Sequence, residues 1–134
     1  MRLDQRVLVE GTLLLVDAAN VVGSRPTGWW KDRAGAARGL VERLRAARAA
    51  GRLEPLVIAV LEGAARSGAS EGSVEGVEVV HAAGSGDERL LELATSSATP
   101  VVLVSADRDL CRRVAEVGGT GVRPGWLLDR LDGA

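Results

Sequence analysis

Three uninterrupted runs of apolar residues constrain the fold of this chain more than any other feature. They are LLLV at residues 13–16, LVIAVL at 56–61 and VVLV at 101–104. A strand with one face in water alternates apolar and polar residues, whereas a strand covered on both faces stays apolar throughout. Strands of the second kind occur mainly in parallel sheets with helices on both faces. The runs therefore predict a three-layer α/β fold.

Segments with helical features separate the apolar runs. Residues 32–50 carry apolar side chains on one helical face, with Asp32 as the N-cap and Gly51 as the stop. Residues 85–97 begin with Ser85 and Glu88 at capping-box spacing. We also predict a helix at 107–117, a strand at 74–80 and a short edge strand at 121–123. A last helical turn at 126–131 is expected to fold Trp126 onto the core. Residues 18–31 are predicted to be a loop, and residues 63–73 an irregular crossover with at most a short helix.

Composition and charge exclude several classes of protein. At 134 residues we expect a single domain over residues 1–134. The 17 basic and 18 acidic residues balance to a net charge of −1, so a strongly basic nucleic-acid-binding surface is absent. A single Cys111 excludes an internal disulfide and a multi-cysteine zinc site. The run at 13–16 is too short to cross a membrane and lacks a signal-peptide layout, so we expect a cytoplasmic protein without membrane association.

Acidic residues follow or precede the predicted strands at the positions where α/β proteins bind ligands. Asp17 follows the first run directly, Glu62 follows the second, and Asp107 and Asp109 follow the run at 101–104. Ligands of open parallel sheets collect at the carboxyl ends of the strands. Carboxylates that share a cleft repel one another unless a cation joins them. Oxygen ligands favour Mg²⁺ or Mn²⁺, so the pattern predicts a divalent-metal site.

Each acid also has a structural explanation, and these alternatives stay open at this point. Acidic side chains are favoured in the first turn of any helix, where they meet unpaired N–H groups. Glu88 is explained by the capping box, Asp107 by an N-cap, and Asp17 by a turn with Asn20. The hypothesis of a metal site therefore depends on all the acids meeting in one place.

Three segments, in order, resemble the NYN group of PIN-like nucleases. They are LVDAAN at 15–20, GSGDE at 84–88 and VSADRDL at 104–110. The segment NVVGSRP at 20–26, with Trp29 and Trp30, further resembles the small stand-alone actinobacterial members of that group. The resemblance covers nearly the whole chain. It implies a five-stranded sheet of order 3-2-1-4-5 and ribonuclease activity dependent on Mg²⁺ or Mn²⁺. The chain departs from the pattern at Glu88, where a second Asp is common, and at residues 18–19, where Gly is frequent.

The resemblance also implies roles for individual residues. Asp17, Asp87 and Asp107 would be the core metal ligands, with Asn20, Glu88 and Asp109 in support. The full prediction assigns metal binding to Asp17, Asp87, Glu88 and Asp107, catalysis to Asp17, Asp87, Asp107 and Asp109, and a supporting role to Asn20 and Glu62. The predicted function is a metal-dependent endoribonuclease. The alternative is a PIN-like module without turnover that binds RNA or a protein partner.

Basic and aromatic residues near the predicted site are candidates for contact with RNA. Arg25, Lys31, Arg33 and Arg108 are predicted to hold phosphate groups, although a solvated surface explains them equally well. Trp29 is a candidate for stacking on a base, and the alternative is that it anchors its loop to the core. A homodimer or a basic protein partner would supply the positive surface that the chain lacks.

Overall fold

A six-stranded, mostly parallel sheet forms the centre of the computed structural model, which describes residues 11–25, 28–53 and 56–132. The strands are β1 (Leu13–Asp17), β2 (Leu56–Leu61), β3 (Gly72–Val74), β4 (Val77–His81), β5 (Val101–Val104) and β6 (Thr120–Val122). Their order is β3-β4-β2-β1-β5-β6, and only the pairing of β3 with β4 is antiparallel. The central strand β1 therefore lies between β2 and β5.

Five α-helices and two 3₁₀ segments connect the strands in the described ranges. The helices are α1 (Ala18–Gly23), α2 (Arg33–Ala49), α3 (Gly86–Ser96), α4 (Arg108–Glu116) and α5 (Pro124–Leu131), and the 3₁₀ segments are Trp29–Lys31 and Gly63–Gly68. As predicted, Asp32 caps α2 by accepting a 2.8 Å hydrogen bond from the Gly35 N–H. None of the helices in these ranges combines the length and the apolar character needed to cross a bilayer.

Both faces of the sheet are buried, which explains the uninterrupted apolar runs. Leu14 and Val16 of β1 belong to a core shared with α1, α2 and α5. Leu13 and Leu15 point the other way, into a second core shared with α3 and α4. Successive strand residues face opposite sides, so a central strand between two helical layers needs an apolar residue at every position. The predicted three-layer α/β fold is confirmed.

The prediction of a loop over residues 18–31 was wrong in part. Residues Ala18–Gly23 form α1, which begins directly after β1 without an intervening loop. Asp17 is the N-cap of this helix, and its carboxylate accepts a hydrogen bond from the Asn20 N–H at 3.4 Å. The apolar residues that α1 contributes to the core, Ala18 and Val21, are three apart, as expected for one face of a short helix.

The predicted single strand at 74–80 is a hairpin of two strands, β3 and β4. Glu75 and Gly76 both have positive φ angles, 53° and 80°, as the two central residues of a type I′ turn require. The hairpin adds an antiparallel strand at one edge. The sheet therefore has six strands instead of five, while the order β4-β2-β1-β5-β6 within it corresponds to the expected 3-2-1-4-5.

Candidate functional site

The carboxyl ends of β2, β1 and β5 form one edge of the sheet, and acidic residues follow each of them. Asp17 is the last residue of β1, Glu62 follows β2, and Asp107 lies three residues beyond β5. Val16 pairs with Val104 in the parallel register, so Asp17 lies across from Ser105. Parallel pairing of the three strands thus brings residues from distant parts of the chain to one place.

Asp17 is a buried carboxylate, with 3% of its surface exposed. Asn20 donates to it from its side-chain amide at 2.8 Å and from its backbone N–H at 3.4 Å. The Ser105 hydroxyl donates to its Oδ2 at 2.8 Å. Desolvation by burial raises the pKa of Asp17, the charge of Glu62 raises it further, and the hydrogen bonds from Ser105 and Asn20 oppose the rise.

Ser105 joins two of the predicted metal ligands and was not among the predicted site residues. Its buried hydroxyl donates to Asp17 and accepts from the Asp107 N–H at 3.0 Å. Asp107 in turn caps α4, where its Oδ1 accepts from the Leu110 N–H at 3.1 Å. The sequence could have indicated Ser105, because it directly follows the apolar run at 101–104, as Asp17 follows the run at 13–16. Recognising it required knowing that β1 and β5 are neighbours in register.

Asp87, in the first turn of α3, completes a group of four carboxylates with Asp17, Glu62 and Asp107. Partial burial raises the pKa of Asp87, and the charges of Asp107, Asp17 and Glu62 raise it further, as does a hydrogen bond with Asp107. Glu62 fixes the start of the helix, because its Oε2 accepts from the Gly86 N–H at 3.0 Å. We call these four residues the carboxylate group.

Glu88 and Asp109 lie apart from this group and pair with arginines. Glu88 Oε1 lies 3.5 Å from Arg113 Nη2. Asp109 Oδ1 lies 2.7 Å from Arg112 Nη2, and this hydrogen bond lowers the pKa of Asp109. The hydroxyl of Ser85 accepts from the Asp87 N–H at 3.1 Å and not from Glu88, so the expected capping box does not take its standard form. The structure therefore does not bring these two acids to the carboxylate group.

The carboxylate group has the right donor atoms for Mg²⁺ or Mn²⁺ but is not already arranged around an ion. In the part of the chain that the structure describes, no three His, Cys, Asp or Glu side chains form a group that could hold a metal as they stand. A carboxylate has about four acceptor positions, and the three hydrogen bonds to Asp17 leave one of them over. The donor chemistry of the four carboxylates fits a hard cation.

The predicted RNA-contacting residues separate into three places. Arg25 pairs with Asp132 at 3.3 Å, on the side of α5. Trp29 and Arg33 line a cavity of about 420 Å³ that also borders Glu62. Arg108 lines a smaller cleft of about 230 Å³ at the ends of β5 and β6, together with Arg123, which the sequence analysis did not select. Lys31 is exposed at the end of its 3₁₀ segment.

Cys111 lies beside the same smaller cleft. Burial raises the pKa of its thiol, and the charges of Asp107 and Asp17 raise it further, while Arg123 opposes them. Its Sγ lies 3.7 Å from the Ser105 carbonyl oxygen. A raised thiol pKa disfavours the reactive thiolate, and Cys111 packs against the core that α3 and α4 share with the sheet.

Comparison of the whole fold with solved structures finds close matches. The crystal structure of Rae1 (YacP) from Bacillus subtilis superposes with a TM-score of 0.70 over 90% of this chain and 74% of that one, at 22% identity. A tryptophan-to-leucine variant of the same protein matches with a TM-score of 0.70 over 91% of this chain and 76% of that one, at 21% identity. The fold is PIN-like. In sequence, no family model and no curated protein matches the chain. The similarity to these structures is therefore a similarity of fold, and in this fold the carboxylate group lies at the carboxyl ends of the strands.

Proposed function

We propose that this chain is a divalent-metal-dependent ribonuclease of the PIN-like type, acting at the carboxylate group. The proposal depends on one observation: the carboxylate group lies at one edge of the sheet. Its members are close enough that the charges of Asp107, Asp17 and Glu62 raise the pKa of Asp87. Without a cation this proximity costs free energy, since like charges that share a site repel one another. The resemblance of three chain segments to the NYN group supports the same activity.

The proposal assigns separate roles in metal binding and in ligand orientation to residues of the chain. Asp17, Asp87 and Asp107 bind the metal, while Asn20 and Ser105 hold the Asp17 carboxylate in one orientation through their hydrogen bonds. Metal ligands must be deprotonated, so the raised pKa of Asp87 would make metal binding weaken as the pH falls. A bound Mg²⁺ or Mn²⁺ would supply a water of lowered pKa and stabilise negative charge on the phosphate.

Two of the predicted site residues, one assigned to catalysis and one to metal binding, are held in ion pairs and would first have to leave them. Asp109 and Glu88 pair with Arg112 and Arg113, so each would have to release its arginine before it could orient water at the site. Glu88, Asp109 and Arg112 are exposed and Arg113 is partly exposed, and ion pairs in contact with solvent contribute little to stability. Breaking either ion pair therefore requires little free energy, and the role of Asp109 and Glu88 stays a prediction.

The test is cleavage of a labelled single-stranded RNA in the presence of Mn²⁺. Asp17→Asn and Asp107→Asn are expected to lower the rate at least about a hundredfold, because removing a ligand costs more than the 10–100-fold typical of residues that only orient one. Asp129→Asn, on the exposed face of α5, is the matched control and should keep the wild-type rate. Calorimetric titration of Mn²⁺ should show binding by the wild type and none by Asp107→Asn. Equal binding by both, or binding by neither, would rule out the proposed site.

A second candidate is a PIN-like module that binds RNA or a protein partner without turnover. The observation that favours it is that no three potential ligands in the described residues are already arranged around an ion. RNA or partner binding that persists in Asp17→Asn, together with an absence of Mn²⁺-dependent cleavage by the wild type, would decide for this candidate.

A further inference from the structure

We propose that the 420 Å³ cavity beside the carboxylate group binds one unpaired nucleobase of a single-stranded RNA. The cavity, which we call the base pocket, lies between α1, α2 and the segment after β2. Its lining includes Ala18 and Ala19 of α1, Trp29, Arg33 and Gly84. The volume lies in the range of small-molecule sites, about 300–1,000 Å³, and is sufficient for a base with its ribose.

The walls of the base pocket suit a flat, partly apolar ligand. Most of the exposed lining is apolar, from alanines and the half-buried Trp29. The Arg33 guanidinium lies 5.5 Å from the centre of the Trp29 ring. Aromatic rings and guanidinium planes are the two groups on which proteins stack unpaired RNA bases. A long aliphatic ligand would pack against the alanines but would have no favourable interaction with the Arg33 guanidinium.

One polar group gives the pocket a means of recognising a base edge. Glu62 contributes a carboxylate to the lining, and its Oε2 accepts a hydrogen bond from the Gly86 N–H. Since a carboxylate has about four acceptor positions, it has capacity for the N–H groups of a base. Arg33 supplies the opposite charge at the same pocket, where it can meet a phosphate of the same strand.

The base pocket and the carboxylate group are continuous. Ala18 follows Asp17 directly, and Glu62 belongs to both sets. A base held in the pocket therefore has its own backbone next to the carboxylates, and this placement of the scissile phosphate rests on the proposed function. A base in an intact duplex cannot enter a pocket of this kind, because its faces are stacked and its edge is paired. The substrate class is thus RNA with at least one unpaired nucleotide.

The test is a coupling measurement between Trp29 and a single base. The probe is a short fluorescein-labelled single-stranded RNA, with a series of copies in which one nucleotide at a time is abasic. Binding is followed by anisotropy in Ca²⁺ and again in EDTA, with a gel to verify that the RNA stays intact. We expect one abasic position to weaken wild-type binding about tenfold, the effect of one stacked base. Trp29→Ala should weaken binding to a similar degree and make that abasic position neutral.

The chain offers a matched control and an independent second variant. Trp30 is 54% exposed, touches Trp29 edge-to-face at 6.1 Å and does not line the pocket, so Trp30→Ala should bind like the wild type. Trp29→Phe should keep most of the affinity. Gly84→Leu adds a side chain at a lining position where a Cβ meets no heavy atom within 4 Å, and it should weaken binding without touching Trp29.

The possible outcomes distinguish a failure of the base-pocket proposal from a failure of the nuclease proposal. An abasic penalty of the same size in wild type and Trp29→Ala would overturn the proposal, as would wild-type affinity in Gly84→Leu. Cleavage is measured in parallel with Mn²⁺. Coupling without cleavage would keep the base pocket and reject the nuclease, whereas cleavage without coupling would keep the nuclease and reject the pocket.

Discussion

At the scale of single residues, the acids of this chain are of two kinds, and their electrostatic surroundings distinguish them. Asp17 and Asp87 are desolvated and face other carboxylates, which raises the pKa of each. Asp109 is exposed and bonded to Arg112, which lowers its pKa. Sequence position does not separate the two kinds, because Asp87 and Asp109 both lie in the first turn of a helix. A ligand site is expected near the carboxylates whose pKa is raised, since groups with shifted pKa values concentrate at functional sites.

The raised pKa of Asp87 predicts how stability depends on pH. Above pH 3.8 the folded state binds more protons than the unfolded state until Asp87 ionises, so stability falls as the pH rises through that window. Asp87→Asn removes the repelled charge. Its melting temperature in metal-free buffer should therefore exceed that of the wild type at neutral pH, and the difference should shrink as the pH falls towards 3.8.

Asp109→Asn provides the control of opposite sign for this measurement. The lowered pKa of Asp109 means that its ion pair with Arg112 contributes stability above pH 3.8, which is lost as the pH falls through its folded value. Because the pair is exposed, the effect should be small. If Asp87→Asn melts at or below the wild-type temperature at neutral pH, repulsion does not act at this position.

At the scale of elements, the connection between β2 and β4 contains no α-helix. A parallel pair usually needs a crossover helix, and here the 3₁₀ segment Gly63–Gly68 takes that place and packs on α2. Gly68 is buried where the two backbones meet. A Cβ there would overlap the Ala34 carbonyl oxygen and lie 3.0 Å from the Arg38 nitrogen. The absence of a side chain is what allows this close approach.

Gly68→Ala should therefore destabilise the protein by about 1–3 kcal/mol, the usual cost of overpacking. The matched control is Gly39→Ala within α2, where a Cβ meets nothing within 4 Å. Alanine is a better helix former than glycine, so this control should stabilise by about 0.5–1 kcal/mol. Urea unfolding of both variants checks the prediction. Equal effects of the two substitutions would show that the crossover is free to move away from α2.

At the scale of the whole molecule, both acidic and basic side chains lie along the carboxyl edge of the sheet. The net charge is −1. The base pocket borders the end of β2, the carboxylate group lies at β1 and β5, and the cleft with Arg108 and Arg123 lies at β5 and β6. An RNA strand that follows this edge would meet the acids between two places that carry arginines.

This arrangement predicts few phosphate contacts and a shallow dependence of RNA binding on salt. Each contact to single-stranded RNA contributes about −0.7 to the slope of log K against log salt. Arg108→Ala and Arg123→Ala should each reduce the magnitude of the slope by about that amount. Arg112→Ala is the control, because Arg112 pairs with Asp109 and Glu116 on the exposed face of α4. An equal change of slope in all three variants would indicate a general charge effect and no specific contact.

Much of the architecture could be predicted from local patterns. The apolar runs predicted buried strands, and β1, β2 and β5 lie at those positions. Asp32 and Gly51 predicted the limits of α2 to within two residues. The loop prediction over 18–31 was wrong at residues 18–23, because Asp17 caps a helix that is only six residues long, with too little periodicity to detect. The hairpin at 72–81 was missed because its turn is Glu75-Gly76 and not one of the common Asn-Gly or Asp-Gly pairs.

The candidate site could be predicted only in part. The order of elements indicated that Asp17, Asp87 and Asp107 would share an edge, and the structure places them there. The pairing of Glu88 and Asp109 with arginines depends on the directions of exposed side chains, which residue spacing does not specify. Ser105 and Arg123 were missed because their importance depends on neighbours that are distant in the chain.

The sequence by itself determined which segments are buried strands and which acids follow them, because burial on two faces and helix capping are local requirements. Only the tertiary structure decided which carboxylates meet, which of them pair with arginines and where a cavity opens beside them. Those outcomes depend on the register of β1 with β5 and on the packing of α1, α2 and the crossover. Such contacts join residues far apart in the chain, so local pattern carries no information about them.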